Sequence, residues 1–473
     1  MTETDVLNAL ITINAKKAVP LKKDIVLKEV NDWLASKRRA DMVTGQNYFN
    51  CKTDIQKKVR TGVDGVELEH RSNQKIETTL FRSIVMQKIG YLLGKVPTIS
   101  STNKEYADAV SALMNPKFWK EIRKCSVDAI TKGTGWAKIS FGKDGEICIK
   151  SVDALELIPI SIDYDSGKLD QIIRTYEVEI INPADGKREK VRKIEHWTTE
   201  RVEYYEIDGD KIIPDVQAIE EKGNGHFLMN GNPQVWERVP FIPIQYNDSG
   251  QLLINCLKSN IDNLNEQASI NADMLIDFPK AVMVLMGYGG EDADEFLYQV
   301  RQLGVAKVGE GGGLDTIQIA PNTEGTEKEL KRSRLEILNG GAGVDLFDTA
   351  TFGTSSGVAL KYKFAILDID CNIFEPEIAI AVENIAWFFV RYLKAMGVGD
   401  FTEDNLEIIL NRDIIIAETD VIAACLNSTT FMPLQEVQEN HPWFTSNTSR
   451  LWEEQKAAER TELKERFALE NEE

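Results

Sequence analysis

A glycine-rich stretch lies between two strongly helical patterns, and it constrains this chain more than any other feature. The first pattern is charged and amphipathic, and the capping-box spacing of Thr326 and Glu329 predicts a helix over Thr326–Leu338. The glycine-rich stretch follows at Asn339–Ser356. Because a compact enzyme core rarely contains such a segment, we expect a separate functional loop here.

The two ends of this loop carry residues with specific backbone preferences. Three glycines begin it: Gly340, Gly341 and Gly343. Since glycine accepts positive φ angles, they predict that the first helix stops and that the loop can swing. Ser355 or Ser356 can cap the next helix, which the pattern predicts at Gly357–Met396. Pro376 should kink that helix near its middle, because proline lacks an N–H donor and clashes with the preceding turn.

Two phrases of the sequence are specific enough to suggest a family. Ser355–Lys363 reads SSGVALKYK directly after the loop, and Gln87–Lys95 reads QKIGYLLGK. In wording and order they resemble the portal proteins of tailed bacteriophages, of the kind found in Bacillus siphophages. The resemblance extends over about residues 40–460.

The resemblance implies an α+β portal fold. Such a fold has a wing of helices and antiparallel β-strands, a helical stem, a small α/β clip, a long kinked helix and a helical C-terminal crown. On this chain we expect the wing at residues 1–250, stem helices at 251–278 and 323–339, the clip at 279–322, the tunnel loop at 340–356, the long helix and a wing return strand at 357–416, and the crown at 417–473.

Apolar periodicity predicts the same mixture of helices and strands. One helical face is formed by Leu80, Ile84, Val85, Ile89 and Leu92, and another by Leu253, Leu257, Ile261 and Leu264. The second face belongs to a helix over Leu252–Asp277, whose other side carries Asn, Asp and Ser. Residues 137–248 alternate with a period of two between glycine-containing turns, which is typical of an antiparallel sheet.

Shorter patterns predict the remaining elements. Helices are expected within residues 1–40, at Phe118–Ile130, at Glu291–Leu303 and from Ala417 onward. Strands are expected at Lys280–Gly287 and Asp404–Asp413, and a hairpin joins Gly304–Gly309 to Leu314–Ala320.

Charge and composition limit the function classes. The chain has 55 basic and 75 acidic residues, a net charge of −20, which is opposite to that of a protein that grips nucleic acid tightly. Six scattered cysteines and four histidines have no zinc-site spacing, so we expect buried free thiols and no cofactor. The N-terminus has no signal-peptide pattern, and charged residues interrupt the most apolar run, so no membrane association is expected.

No catalytic motif occurs in the sequence, so an enzyme is not expected. One alternative remains: a soluble intracellular enzyme that binds a phosphorylated ligand through the glycine-rich loops at 309–313 or 340–343. Another alternative is a capsid-associated scaffold without a channel.

The resemblance implies a specific function. A ring of twelve subunits would form a channel at one capsid vertex, and double-stranded DNA would pass through it during packaging and ejection. The terminase large subunit, which hydrolyses ATP, and later a head-completion adaptor protein would dock on the clip. Scaffold and major capsid proteins would surround the ring, which would be assembled in the host cytoplasm and retained in the virion.

Three sets of residues follow as candidate sites. The tunnel-loop set, expected to meet DNA, is Val344, Asp345, Leu346, Phe347, Asp348, Thr349, Thr351 and Phe352. The basic set on the preceding stem helix is Lys328, Lys331, Arg332 and Arg334, which either face the channel or pair with Glu327, Glu329 and Glu336 between subunits. The clip surface for partner proteins is Glu291, Asp294, Tyr298, Arg301 and Lys307.

Overall fold

The computed structural model describes residues 21–68, 71–142, 145–163, 168–181, 188–209, 211–229, 231–277, 282–286, 313–317, 323–345, 357–402, 404–412 and 418–433, with positions 437, 441, 444, 452 and 455–457. These residues form helices and antiparallel sheets, so the predicted α+β class is confirmed. Within these ranges, every helix falls short of the length or the hydropathy that crossing a membrane requires.

Two helices begin the described part of the chain, where the sequence predicted one. Helix α1 covers Lys23–Ala35 and helix α2 covers Lys37–Phe49. Ser36 separates them with extended backbone angles, and its hydroxyl accepts a hydrogen bond from the Arg39 N–H. The serine thus acts as an N-cap and starts a new helix, so the region predicted as helical is helical in its described part but is divided in two at Ser36.

Helix α3, Leu80–Leu93, lies in the centre of the main core. Its predicted apolar face is confirmed, since five side chains are at most 8% exposed: Leu80, Ile84, Val85, Ile89 and Leu92. Strand β1 (Thr98–Ser100) and helix α4 (Lys104–Leu113) follow it. Helix α5 covers Pro116–Lys132, which confirms the helix predicted at Phe118–Ile130, and it packs on α3.

The alternating region folds into two main antiparallel sheets. A three-stranded sheet has the order β11-β2-β3, and a five-stranded sheet has the order β4-β5-β6-β7-β8. The first sheet contains β2 (Thr134–Phe141), β3 (Ile147–Val152) and β11 (Phe241–Gln245). The second contains β4 (Leu157–Asp163), β5 (Lys168–Ile181), β6 (Arg188–Thr198), β7 (Val202–Asp208) and β8 (Lys211–Pro214). Helix α6 (Val216–Lys222) and the short pair β9 (Phe227–Met229) and β10 (Asn232–Gln234) lead back to β11.

The second half of the chain is mainly helical. Its elements are α7 (Ile254–Asp277), β12 (Val282–Met286), β13 (Gly313–Ile317), α8 (Thr323–Gly340), α9 (Gly357–Ala395), β14 (Glu407–Ile409) and α10 (Glu418–Ser428). Helices α7 and α8 pack side by side, and α9 packs on α3 and on β11. Strand β12 pairs with β13, and β14 pairs with β1.

Several predicted elements of this half can be compared with the structure. The strand at 280–287 is confirmed, and the return strand is confirmed but short. Helix α8 begins at Thr323, so the prediction that Thr326 caps it is wrong; Glu324 instead places a carboxylate in its first turn. Helix α9 continues through Pro376, and the kink stays a prediction. The helix at 291–303 and the strand at 304–309 lie outside the described residues.

The core explains how these elements hold together. The main cluster joins side chains of α3, α5, α7, the three-stranded sheet and α9, among them Phe81, Trp119, Leu257 and Phe389. A smaller cluster places Val26 and Val30 of α1 on the five-stranded sheet. Helix α3 therefore contacts both the sheet-containing half and the long helix.

Candidate channel site at the end of helix α8

The predicted tunnel loop begins in a tightly packed turn, residues 341–345, here called the loop root. Three consecutive amides donate to the end of α8: Gly341 N–H to Ile337 O (3.0 Å), Ala342 N–H to Asn339 O (3.2 Å) and Gly343 N–H to Leu338 O (2.8 Å). These bonds satisfy carbonyl groups that the end of a helix otherwise leaves without partners. The loop root therefore continues the packed structure of α8.

Close packing, rather than backbone rotation, requires glycine at positions 341 and 343. Neither residue has a positive φ angle, whereas Ala342 has one of 50°. A Cβ added to either glycine would lie 2.8 Å from a side-chain carbon of Ile84 on α3. The prediction that these glycines adopt positive φ angles is therefore wrong here, and their missing side chains instead let the loop root approach α3.

The side chain of Gln87 on α3 pairs with the backbone of Val344. Its Nε2 donates to the Val344 carbonyl at 2.9 Å, and the Val344 N–H donates to its Oε1 at 2.8 Å. Val344 itself is 5% exposed. The two bonds fix both the position and the orientation of the Val344 backbone, so the loop root is attached to a helix 257 residues away in the sequence.

Asp345 forms an ion pair with Arg334 of α8. Arg334 Nε lies 3.1 Å from Asp345 Oδ2, and its Nη2 lies 3.0 Å from Oδ1. This two-bonded geometry is the strong form of a guanidinium–carboxylate contact. Asp345 was predicted to meet DNA, and Arg334 either to face the channel or to pair with a glutamate between subunits; in the structure the two residues pair with each other.

The other end of the loop leads into α9, and α9 is joined to α3 by a buried ion pair. Lys88 is fully buried, and its Nζ lies 2.5 Å from Asp370 Oδ2. The Tyr246 hydroxyl lies 3.1 Å from both oxygens of the same carboxylate. Burial and the charge of Asp370 raise the pKa of Tyr246 above its usual range, so the hydroxyl keeps its proton and donates it.

Tyr91, one turn farther along α3, makes a second connection to α9. Its hydroxyl donates to Asp368 Oδ1 at 2.9 Å. Burial and this hydrogen bond raise the pKa of Tyr91 to about 12. Arg412, which follows β14, donates to Asp368 and to Glu375, so the return segment joins the same cluster.

The basic residues predicted on the stem helix have partners within their own chain. Lys328 Nζ lies 2.6 Å from Glu324, and Arg332 Nη2 lies 2.7 Å from Glu329, both on the exposed surface of α8. Lys331 is exposed and, within the described ranges, makes no ion pair. It lies at the edge of a cavity of about 340 Å³ between α7, α8 and residues 76–80. Of the four, Lys331 is thus the one that has no ion-pair partner among the described residues.

The remaining predicted site residues fall outside the described part of the chain. They are Leu346, Phe347, Asp348, Thr349, Thr351 and Phe352 of the tunnel loop, and Glu291, Asp294, Tyr298, Arg301 and Lys307 of the clip. Their roles stay predictions. Ser355 and Ser356 also lie outside it, directly before α9 begins at Gly357.

The loop root does not provide a phosphate site. A glycine-rich phosphate loop needs free backbone N–H groups, but those of residues 341–344 all donate within the chain. In the described ranges, no group of three or more His, Cys, Asp or Glu side chains is placed to bind a metal. All six cysteines are free thiols; Cys256 is exposed, so the prediction of uniformly buried thiols is wrong.

The residues that organise this site were not singled out from the sequence. Gln87, Lys88 and Tyr91 belong to the phrase that suggested the family, but no individual role was assigned to them. A polar residue on an otherwise apolar helix face, such as Lys88, was the available signal, because a buried lysine needs an acidic partner.

Comparison with known proteins gives the family to which the chain is similar. The family model for SPP1 Gp6-like phage portal proteins matches residues 32–462. The portal protein of Bacillus phage SPP1 is 28% identical over 435 residues, covering 91% of this chain and 84% of the relative. The portal protein of Clostridium phage phiCD119 is 23% identical over 429 residues, covering 86% and 90%.

Solved structures of virus-like particles also align with the chain. The neck of an empty gene transfer agent (GTA) particle, computed with C6 symmetry, aligns with a TM-score of 0.40 at 13% identity, covering 75% of this chain and 88% of that one. The family match spans α2 to the C-terminal region and includes α3, the loop root and α9. The chain belongs to the SPP1 Gp6-like family of phage portal proteins.

Proposed function

We propose that this protein forms the portal ring at one capsid vertex, with twelve subunits around a channel for double-stranded DNA. The observation that carries the proposal is the family match over residues 32–462, together with two relatives that are portal proteins. The ring is a structural part of the virion and not an enzyme. The terminase large subunit, the head-completion adaptor, and the scaffold and major capsid proteins are its proposed partners.

An exposed face of α9 supports assembly into a ring. Four isoleucines on that face are 50–64% exposed: Ile366, Ile369, Ile373 and Ile380. With Pro376, their spacing alternates between three and four residues, which is the pattern of a helix that packs against another helix. Over these positions the stripe is about 21 Å long. In a closed ring each subunit needs such a surface for its neighbour.

The charge of the chain supports a channel that does not retain DNA. The net charge is −20, and the described basic residues Lys328, Arg332 and Arg334 of α8 are paired with carboxylates. Neutralised cations contribute few counterion-releasing contacts with phosphates, so DNA would be confined without being bound tightly.

Electron microscopy of the purified full chain tests the ring. We expect closed rings with a central hole, and a double variant with Ile369→Glu and Ile373→Glu should give mainly single subunits. Supplying the gene to a phage that lacks its own portal gene should restore filled heads. The proposal would be overturned if the purified wild-type chain formed no rings and if its gene also failed to restore packaging in the portal-deficient phage.

Substitution of Lys331 tests whether a positively charged side chain of α8 faces DNA in the proposed channel. Lys331→Glu inserts a negative charge without breaking an ion pair, whereas Arg334→Glu also disrupts the contact with Asp345. We expect slower packaging for Lys331→Glu in a single-head packaging measurement. Lys117→Glu, at an exposed position on α5, is the matched control. Equal packaging rates for Lys331→Glu and Lys117→Glu would show that Lys331 does not act on DNA in the channel.

A further inference from the structure

We infer that Gln87 is a positioning residue for the tunnel loop, because it fixes the loop root on α3. The effect of Gln87 on DNA packaging rests on the proposed function, whereas the attachment of the loop root to α3 does not depend on it. Residues 341–345 are within the described chain, and two hydrogen bonds from Gln87 to Val344 connect them to α3.

The chemistry of a primary amide suits this role. Gln87 offers one donor and one acceptor in a plane, and the N–H and C=O groups of the Val344 backbone offer the complementary pair. The two bonds, at 2.9 and 2.8 Å, thus resemble the exchange between neighbouring β-strands. No other uncharged side chain except asparagine presents this pair, and asparagine is one methylene shorter.

Neighbouring contacts make the attachment rigid. Val344 is buried, Gly343 approaches Ile84 of α3, and Asp345 is paired with Arg334. The chain is therefore held on three sides at the point where it leaves α8.

The same helix also holds the element that follows the loop. Lys88 binds Asp370 of α9, directly beside Gln87, and Tyr91 binds Asp368. The segment before the loop and the helix after it are thus fixed by residues within little more than one turn of α3. Gln87 sets the spacing of the loop root from α9, and hence the place where the loop enters the channel.

Hydrogen exchange of the full-length protein tests the attachment. In Gln87→Leu, which has a similar shape and no hydrogen-bonding group, the Val344 amide should exchange about tenfold faster than in the wild type. Met86→Leu, at the exposed neighbouring position on α3, is the control and should leave this amide unchanged. Thermal unfolding of each variant verifies that the chain still folds.

A second variant distinguishes this role from general packing. Gln87→Glu places a carboxylate oxygen against the Val344 carbonyl at neutral pH, so protection of the Val344 amide should fall. Below about pH 4 the protonated carboxyl group can donate again, and protection relative to wild type should return. A side chain that only fills space would show no such pH dependence.

The functional readout is the number of filled heads after complementation of a portal-deficient phage. We expect several-fold fewer filled heads with Gln87→Leu than with Met86→Leu. Unchanged exchange at Val344, or faster exchange with a normal number of filled heads, would overturn the inference. If the wild-type chain itself fails to restore packaging, the proposed function fails instead, and the exchange result still decides the attachment.

Discussion

Helix α7 is held by apolar contacts in its first half and by polar contacts in its second half. Leu257 and Ile261 are 0% and 1% exposed, and Leu257 lies close to the end of α8. Beyond them the buried side chains are polar: Asn265, Ser269 and Asp273, at 1%, 0% and 3% exposure. One helix therefore shows two ways of fixing a neighbour.

The polar half binds the backbone of residues 74–78. The bonds run from Gln74 N–H to Asp273 Oδ1 (2.7 Å), from Ile76 N–H to Ser269 Oγ (2.9 Å) and from Thr78 N–H to Asn265 Oδ1 (2.8 Å). Every second residue of an extended chain repeats at about 6.6 Å, and every fourth residue of a helix repeats at about 6 Å. The similar spacings let three acceptors meet three donors in order.

The two halves fix different properties of the packing. Apolar contacts depend on buried area and allow small displacements along the helix, whereas hydrogen bonds require one alignment. A displacement of the 74–78 segment by one residue would leave buried N–H groups without partners. The apolar half thus provides most of the stability, and the polar half determines the register of the segment that leads into α3.

The largest expected effect is in the apolar half. Leu257→Ala should lower the free energy of unfolding by about 3 kcal/mol, because the substitution leaves a cavity beside the loop root. Denaturant unfolding followed by circular dichroism measures the change. Leu275→Ala, at a 62% exposed position of the same helix, is the control. Equal effects of the two substitutions would contradict the assignment of this half as core.

A smaller loss is expected in the polar half. Asn265→Ala removes the acceptor for the Thr78 N–H and the donor to Thr53 Oγ1, so the free energy of unfolding should fall by about 2 kcal/mol. Hydrogen exchange should accelerate at Thr78 more than at Ile337 of α8. Glu266→Ala, at the adjacent exposed position, serves as the control. Equal acceleration of exchange at Thr78 and at Ile337 would mean that the polar contacts of α7 do not fix the 74–78 segment independently of the apolar contacts.

Acid should weaken the polar half before the apolar half. Burial alone would raise the pKa of Asp273, but bonds from the Gln74 N–H and the Ser72 hydroxyl lower it below its usual value. A lowered pKa in the folded state means that the unfolded state binds more protons, so stability present above about pH 3.9 is lost as the pH falls through the folded pKa.

The comparison with Asp273→Asn isolates this effect. At pH 6 the wild type should be more stable than the variant, because only the carboxylate attracts Lys58, whose Nζ lies 3.4 Å away. Between pH 5 and pH 3 the difference in unfolding free energy should shrink toward zero. A difference that is constant over this range would show that the charge of Asp273 does not contribute.

Repeating patterns were readable from the sequence, and single long-range contacts were not. The apolar faces of α3 and α7 and the alternation of the strands were predicted correctly, since periodicity reports burial directly. The sequence placed Asn, Asp and Ser only on the side of the helix away from its apolar face, and it did not identify Asn265, Ser269 and Asp273 as acceptors. Their partners are 187 to 199 residues away in the sequence, so no local pattern reports these contacts.

The candidate site was predictable in position but not in detail. The order of helix, glycine-rich loop and long helix gave the correct region, and the phrase QKIGYLLGK gave the family. The glycines were assigned to positive φ angles, because the alternative reason for glycine, the approach of Ile84, cannot be seen without the fold. Similarly, the pairing of Arg334 with Asp345 could not be predicted, because it depends on a turn whose sequence shows no periodic pattern.

The smallest effect is expected for polar contacts that are not buried. Lys328 and Glu324 are 73% and 79% exposed, so water screens their attraction and Lys328→Ala should leave the unfolding midpoint unchanged within error. Asn265→Ala, which also removes one polar side chain, is expected to lower it clearly, because Asn265 is buried. If Lys328→Ala lowered the unfolding midpoint of isolated subunits as much as Asn265→Ala does, exposed and buried polar contacts would contribute equally, and the distinction between them would be wrong. A shift that appears only in assembled rings would instead assign Lys328 to a contact between subunits.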